Sequence, residues 1–196
     1  SYALDVVQLA QAHKLTSGAF TDSNAVVGTG TLTVGLAGTT MDLAIDATNN
    51  TLAGIRDAIN AATDNPGVAA TIVNADSGSY LILTAEDTGA SNTIMVTQAG
   101  GDGGLAALEY DPGQGLTALT ESIAPQDAQI QLDGLDIISS SNTFSGAVQG
   151  VTITVDAVTG VTSETLTVEN DPEAAKTLVN EFVDSYNDLI KTFDAL

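Results

Sequence analysis

Residues 171–196 read DPEAAKTLVNEFVDSYNDLIKTFDAL, and they differ in character from the chain before them. The preceding part is rich in Thr, Val, Ala, Gly and Asp, whereas this stretch carries apolar residues spaced by alternating threes and fours. Such spacing is typical of a helix whose buried stripe faces a partner helix. We call this predicted stripe the seam, and its residues are Val179, Phe182, Tyr186, Leu189, Phe193 and Leu196.

The beginning of this helix is well marked by three consecutive residues. Asp171 is a candidate N-cap, Pro172 suits the first helical position, and Glu173 places negative charge at the positive end of the helix dipole. No stop signal follows, and the seam continues to Leu196. The pattern therefore favours a helical arm on a β-rich head, with a partner outside this chain or in another copy of it. The alternative is an amphipathic helix packed back on the head.

Composition limits the classes of function. The chain has 196 residues, of which 43% are hydrophobic but only 4% aromatic, so one or two thin, sheet-like cores are expected. Its 25 acidic residues against four basic ones give a net charge of -21, which argues against nucleic acid or an anionic membrane as partner. The same charge opposes self-assembly at low salt. An oligomer of this chain should therefore tighten as salt rises.

Other features of the composition exclude further kinds of site. With no cysteine, disulfides and thiolate metal sites are ruled out. No apolar run approaches the roughly 20 residues that a transmembrane helix needs, and the first residues lack the basic segment and apolar core of a secretory signal. The sequence thus predicts no contact with a membrane.

The first half of the chain predicts a compact α+β unit. Residues 2–9 favour a strand with Tyr2, Leu4 and Val6 on one face, although the beginning of a helix is the alternative. The segments that follow are strands at 28–36 and 41–47, a helix at 51–63 capped by Asn50, strands at 68–74 and 80–85 joined by the turn Asp76-Ser77-Gly78, and a strand at 92–97. The helix presents Leu52, Ile55 and Ile59 on one side, so it should lie on the sheet.

Beyond Pro125 the pattern is that of β structure alone. Residues 129–132 and 135–138 flank Asp133-Gly134, which is the strongest hairpin signal in the chain. Further alternating strands are predicted at 151–155 and 165–168.

Little in the sequence indicates chemistry, and no catalytic, cofactor-binding or metal-ligating residue is assigned. His13, the only histidine, lies beside Lys14 and is predicted to be exposed. The loop Gly100–Gly104 is a poor calcium candidate because it contains a single carboxylate, Asp102. Arg56 has Asp57 and Asp5 as possible ion-pair partners, but an exposed pair supports no functional assignment.

Several segments, taken in order, carry a resemblance to a known family. They are Tyr2–Leu15, Gly28–Val34, Thr51–Asn60, Gly67–Val73, Thr88–Asn92, Gln126–Gly134, Ser141-Asn142 and Gly150–Val155. In this order they resemble the central part of the bacterial flagellar filament cap proteins, also called hook-associated protein 2. The stretch 51–96 is also similar to inserted domains of flagellins, so the order along nearly the whole chain is what favours the cap family.

The resemblance implies a fold that is mainly β with an α+β insertion. The head would have two domains: a discontinuous antiparallel β domain, residues 1–24 and 117–170, and an inserted flagellin-like α+β domain, residues 25–116. Residues 171–196 would begin a helical coiled-coil leg. This nesting requires that residues 2–15 pair with a strand beyond residue 125, and it places both chain ends near the leg.

The resemblance also implies a function without catalysis. Cap proteins are secreted through the flagellar export channel and form a ring-like homo-oligomer at the distal tip of the extracellular filament, where they promote flagellin insertion and filament elongation. The alternative is an acidic extracellular adhesin or flagellin-like surface domain that binds host mucin, glycans or a host protein. A carboxylate-based hydrolase has the least support, since it would need a deep pocket holding two carboxylates.

Overall fold

The computed structural model describes residues 1–160, 162–169 and 172–194. The predicted N-cap Asp171 and the last seam residue, Leu196, lie outside the described residues. In chain order the strands are β1 (Tyr2–Gln8), β2 (Lys14–Thr16), β3 (Gly30–Leu36), β4 (Thr39–Ile45), β5 (Val68–Ala75), β6 (Gly78–Ala85), β7 (Ile94–Ala99), β8 (Tyr110–Asp111), β9 (Leu116–Thr117), β10 (Thr120–Ile123), β11 (Ala128–Leu132), β12 (Leu135–Ser139), β13 (Thr143–Val148), β14 (Val151–Thr154) and β15 (Glu164–Leu166). The helices are α1 (Leu52–Ala61) and α2 (Pro172–Asp194), with 3₁₀ turns at Gly104–Leu108 and Pro112–Gln114.

The buried apolar residues form two separate cores. The larger core lies between the five-stranded sheet β4-β3-β7-β8-β9, the four-stranded sheet β10-β2-β6-β5 and helix α1. The smaller core lies between the four-stranded sheet β12-β11-β1-β15 and the hairpin β13-β14. Its buried members are Val6, Ala10, Ala128, Ile130, Phe144, Ile153 and Val155. The fold is therefore mainly β with one α+β part, as the sequence predicts.

Strand β1, near the beginning of the chain, pairs with two strands that lie beyond residue 125. It is a strand rather than the start of a helix, and it pairs antiparallel with β11 on one side and with β15 on the other. Leu4 lies opposite Leu132, and Tyr2 lies opposite Leu166. The pairing that the nested arrangement requires, between residues 2–15 and a strand beyond 125, is thus present.

The chain crosses between the two cores at a different place from the predicted boundaries. Strands β2 and β10 both join the sheet that contains β6, and Leu15 and Leu119 are buried in the larger core. The sequence prediction assigned these segments, within 1–24 and 117–170, to the discontinuous domain. The difference arises because strands of only three and four residues carry too little alternation to show which core they face.

Helix α1 is capped by Thr51, so the prediction of Asn50 as cap is wrong. The Thr51 hydroxyl accepts a hydrogen bond of 3.1 Å from the Gly54 N–H, and the Thr51 backbone is extended, as an N-cap requires. Asn50 instead uses its backbone carbonyl, which accepts from the Val27 N–H at 2.9 Å. The helix ends at Ala61, earlier than the predicted residue 63. Its side chains Leu52, Ile55 and Ile59 are buried, as predicted.

The predicted hairpin at Asp133-Gly134 is confirmed. Asp133 has φ 50° and Gly134 has φ 80°, and Leu132 pairs with Leu135 across the two-residue loop. Positive φ at both central residues is the type I′ geometry that matches the twist of paired strands. The turn at Asp76-Ser77 is also a two-residue connection, since Ala75 pairs with Gly78.

Candidate assembly surface

Helix α2 presents the seam to solvent. Val179, Phe182, Tyr186, Leu189 and Phe193 are exposed, from 52% for Leu189 to 71% for Phe182, and their spacing places them along one side of the helix. Every α2 side chain whose exposure the structure describes is exposed. For these side chains, the structure therefore contradicts the alternative in which the helix packs back on the head.

The exposed apolar surface of α2 is wider than the seam alone. Leu178, Val183 and Ile190 are also exposed, and they flank the seam. The remaining surface carries charge, with ion pairs from Lys176 to Glu173 at 3.4 Å and from Lys191 to Asp188 at 2.9 Å. A broad apolar stripe rimmed by polar residues marks a site of protein–protein contact. It is the largest group of exposed apolar side chains on any one described element.

His13 is fully buried, so the prediction that it is a surface residue is wrong. Its Nδ1 accepts a hydrogen bond of 2.8 Å from the Ile94 N–H, and its Nε2 lies 3.1 Å from Oε1 of Glu121. Burial lowers the pKa of the imidazole below its ordinary value of 6.5, while the Glu121 carboxylate opposes part of that shift. The alternation of buried His13, Leu15 and Ser17 along the chain is the signal that could have revealed this.

Tyr110 lies beside this imidazole. The two ring centroids are 5.7 Å apart and the rings are tilted by 54°. Burial, and secondarily the negative charge of Glu121, raises the pKa of the Tyr110 phenol. His13 and Tyr110 are thus buried, whereas the side chain of Glu121 is 40% exposed.

The glycine-rich loop Gly100–Gly104 uses its carboxylate to hold its own backbone. Oδ1 of Asp102 accepts hydrogen bonds of 2.9 Å from the N–H groups of Thr29 and Gly104. These bonds lower the pKa of Asp102. Across residues 1–160, 162–169 and 172–194, no group of three or more His, Cys, Asp or Glu side chains is placed to hold a metal ion.

Other charged candidates also have structural partners. Arg56 pairs with Asp57 at 2.6 Å, whereas Asp5 accepts a hydrogen bond from the Ser163 hydroxyl at 3.0 Å. A cleft of about 240 Å³ lies beside β11 and β12 and contains one carboxylate, that of Asp127, which accepts from the Ala90 N–H at 2.8 Å. This cleft lacks the second carboxylate that glycoside hydrolysis needs. Among the described helices, none has the length and apolar character to cross a membrane.

Two family profiles match the chain. The profile described as flagellar hook-associated protein 2 C-terminus matches residues 125–196, and the profile described as flagellin hook IN motif matches residues 31–87. The second match falls on the α+β part of the head, in which the stretch 51–96 resembles flagellin insertions. Neither description concerns adhesion, and the adhesin alternative gains no support from them.

Curated and solved relatives extend the match to the whole chain. The lateral flagellar hook-associated protein 2 of Vibrio parahaemolyticus is 36% identical over 99% of this chain, which covers 46% of that protein. The chain thus spans slightly less than half the length of this curated relative. The crystal structure of the Escherichia coli flagellar cap protein FliD, domains D1-D2-D3, matches with a TM-score of 0.88 at 34% identity, over 99% of this chain and 58% of that one.

A second crystal structure covers a larger share of the relative. The structure of FliD (HAP2) from Pseudomonas aeruginosa matches with a TM-score of 0.80 at 36% identity, over 97% of this chain and 88% of that one. Identity at this level over both chains, together with the nested sheets and the exposed helix that follows them, identifies the family. The chain belongs to the flagellar hook-associated protein 2 family, the flagellar cap proteins.

Proposed function

We propose that this chain forms the head and the beginning of the leg of a cap at the distal tip of the bacterial flagellum. The cap is a secreted, ring-like homo-oligomer that promotes insertion of flagellin and so allows filament elongation. The observation that carries the proposal is the exposed seam of α2 in a chain of this family. No catalytic, metal or cofactor role is assigned to any residue.

The arrangement of the chain ends suits a leg made of more than one helix. Tyr2 and Leu166 are paired neighbours at the same end of the sheet, and α2 follows β15 after a short connection. A helix leading into Tyr2 would lie at the end of the sheet where β15 ends, which would suit a coiled-coil leg. Our proposed division is a discontinuous domain of residues 1–24 with 117–170, an inserted domain of residues 25–116 and a leg of residues 171–196, except that β2 and β10 are grouped with the inserted domain because they join the sheet of β6.

In this proposal, the head acts by holding neighbouring subunits in fixed positions. A closed ring needs heterologous interfaces, in which two different patches of each subunit meet. A stiff head with two packed cores holds such patches at fixed positions, and an apolar leg engages the end of the filament. Flagellin is therefore the second proposed partner, after further copies of the cap protein itself.

Seam variants made in the bacterium that encodes this chain test the proposal. Phe182→Glu combined with Tyr186→Glu places two charges on the apolar stripe, so we expect short or absent filaments and flagellin released into the medium. The matched control, Asn180→Glu combined with Asn187→Glu, adds the same charge outside the seam and should leave filament length unchanged. Normal filaments in the seam variant would contradict the proposal, and equal defects in both variants would show that charge alone is responsible.

A further inference from the structure

His13 lies at the point where the chain crosses between the two cores, and four elements contact it. Its imidazole binds the Ile94 N–H at the start of β7 and Glu121 on β10, and it lies against the Tyr110 ring on β8. Its backbone carbonyl accepts a hydrogen bond of 2.9 Å from the Ala85 N–H at the end of β6. Protonation of a fully buried histidine with such partners would disturb the hydrogen bonds that hold its ring.

The hydrogen bonds define which nitrogen carries the proton. Because the Ile94 N–H donates to Nδ1, that nitrogen must present a lone pair, and the neutral ring carries its hydrogen on Nε2, facing Glu121. Protonation would place a hydrogen on Nδ1 directly opposite the Ile94 N–H. The Ile94 amide, which is buried, would then lose its acceptor.

Ile94 is connected to the smaller core through the loop that precedes it. We call this loop, Thr88–Asn92, the clasp. The Thr88 hydroxyl donates to the Ser140 carbonyl at 2.7 Å, and the Ala90 N–H donates to the Asp127 carboxylate at 2.8 Å. The Gly89 N–H donates to the Gln11 carbonyl at 3.2 Å. The clasp thus ties the part of the head that contains the larger core to residues that adjoin β11 and β12 of the smaller one.

We propose that His13 is a pH-sensitive latch, whose protonation releases the Ile94 amide and loosens the clasp between the two cores. The titratable groups that face the imidazole are Glu121 on β10 and Tyr110 on β8, while β6 and β7 present backbone groups of Ala85 and Ile94. Glu121 is partly exposed and favours the imidazolium, but loss of hydration on burial acts in the opposite direction and is the larger cause. Acid therefore favours the open state, in which the ring regains water.

Linkage gives the sign and size of the effect. In the open state the histidine titrates near its ordinary value of 6.5, and in the closed state it binds a proton only at lower pH. Between these two values the open state binds more protons, so its population rises by up to about tenfold for each unit of pH decrease. Above about 6.5 the population should be independent of pH.

Amide hydrogen exchange of the chain, read by NMR from neutral pH to about pH 5, tests the latch above the ordinary carboxylate range. After correction for intrinsic exchange, protection of Ile94, Gly89 and Ala90 should fall by up to about tenfold per pH unit below about 6.5. Protection of Val34 and Ile130, in the centres of the two cores, should remain constant. An equal fall at all five amides would overturn the proposal, because it would indicate global unfolding.

Two variants complete the test. His13→Gln keeps an acceptor for Ile94 and a donor for Glu121 but does not titrate, so protection of the clasp should become independent of pH. Glu121→Gln removes the charge that favours the imidazolium in the closed state, so the fall in protection should begin at the same pH but extend further into acid. The proposal is overturned if the pH dependence persists in His13→Gln, or if Glu121→Gln moves it to higher pH.

Discussion

Gly101 occupies a position where a side chain has no room. A Cβ atom there would overlap the carbonyl group of Thr29, and the residue has a φ of 71°. Its neighbour Gly100 has a similar φ of 68°, but a Cβ there would meet no atom within 4 Å. Comparing substitutions at the two positions therefore distinguishes the cost of a left-handed backbone from the cost of a steric overlap.

Alanine substitutions at these two positions should differ clearly. Gly100→Ala should lower the free energy of unfolding by about 1–2 kcal/mol, because alanine disfavours the left-handed backbone. Gly101→Ala must in addition displace the Thr29 carbonyl, which we expect to cost about 1–3 kcal/mol more. Urea unfolding followed by circular dichroism measures both. Equal losses would mean that the loop moves away from Thr29 without penalty.

The environment of single polar residues was the least predictable part of the sequence. His13 was predicted to be exposed because it precedes a lysine, but its burial depends on β6, β7 and β10, which come from distant parts of the chain. Asp102, whose loop is a poor calcium candidate because it holds a single carboxylate, instead binds backbone N–H groups of its own loop and of Thr29. The alternation of His13 with Leu15 could indicate that the imidazole is buried, but the groups that bind it are fixed by tertiary structure.

At the scale of elements, helix α1 depends on one hydroxyl at its beginning. Thr51 satisfies the Gly54 N–H, and the helix packs on β5 and β4 through its buried side. Asn65 secures the chain after the helix, since its side-chain amide donates to the carbonyls of Ile59 and Val68 at 2.9 Å each. The helix is thus held at both ends by side chains that bind backbone groups.

Removal of the cap should weaken the larger core. Thr51→Ala leaves the Gly54 N–H without its partner, and we expect a loss of about 1 kcal/mol of unfolding free energy. Thr51→Ser keeps the hydroxyl and should lose much less. Thermal and urea unfolding of the two variants beside the parent chain give the comparison. If the serine variant is as unstable as the alanine variant, the methyl group of Thr51 is what matters, and the cap assignment fails.

Elements with strong local patterns were predicted well. Strand β3 and the hairpin of β11 and β12 match the prediction closely, because their alternation or turn residues are explicit in the sequence. Strands β2, β8, β9, β10 and β13 were missed, and all but β13 are four residues or shorter. β13 itself contains Gly146 at a φ of 89° and an irregular register with β14, which obscures its periodicity. These strands are stabilised by pairing with neighbouring strands rather than by the β propensity of their own residues.

At the scale of the whole molecule, charge and apolar surface act against each other. The net charge of -21 repels other copies of the chain, whereas the exposed apolar residues of α2 favour association. Repulsion between exposed charges is screened over about 10 Å at 0.1 M salt, but burial of apolar surface is not weakened by salt. The balance between the two is therefore set by ionic strength.

Association of the chain should strengthen as salt rises. Light scattering or sedimentation across a series of sodium chloride concentrations should show an increasing mean mass, because screening removes the repulsion first. Phe182→Glu separates the contributions: association that persists in this variant comes from the head, and association that disappears comes from the helix. A mass that decreases with salt would contradict the prediction and would indicate attraction between charged groups.

The whole architecture could be predicted only in outline. The seam of α2 was visible in residues 171–196 because a helical repeat is local, and the structure shows its described residues exposed on one side of the helix. The nesting of one unit within the other came from the order of segments that resemble the cap family. The crossing points could not be predicted, since they depend on whether Leu15 and Leu119 enter one core or the other.

The pairing of Tyr2 with Leu166 determines how the head bears mechanical load. Tension applied at Tyr2 and Leu166 acts first on the pairing of β1 with β15, because the two residues lie at the same end of the two strands. The hydrogen bonds of an antiparallel pair lie perpendicular to the strands, so such a pull opens them one after another, starting at Tyr2. The larger core stays outside the line of force, whereas the smaller core loses the packing of Leu4 and Leu166 as the two strands separate.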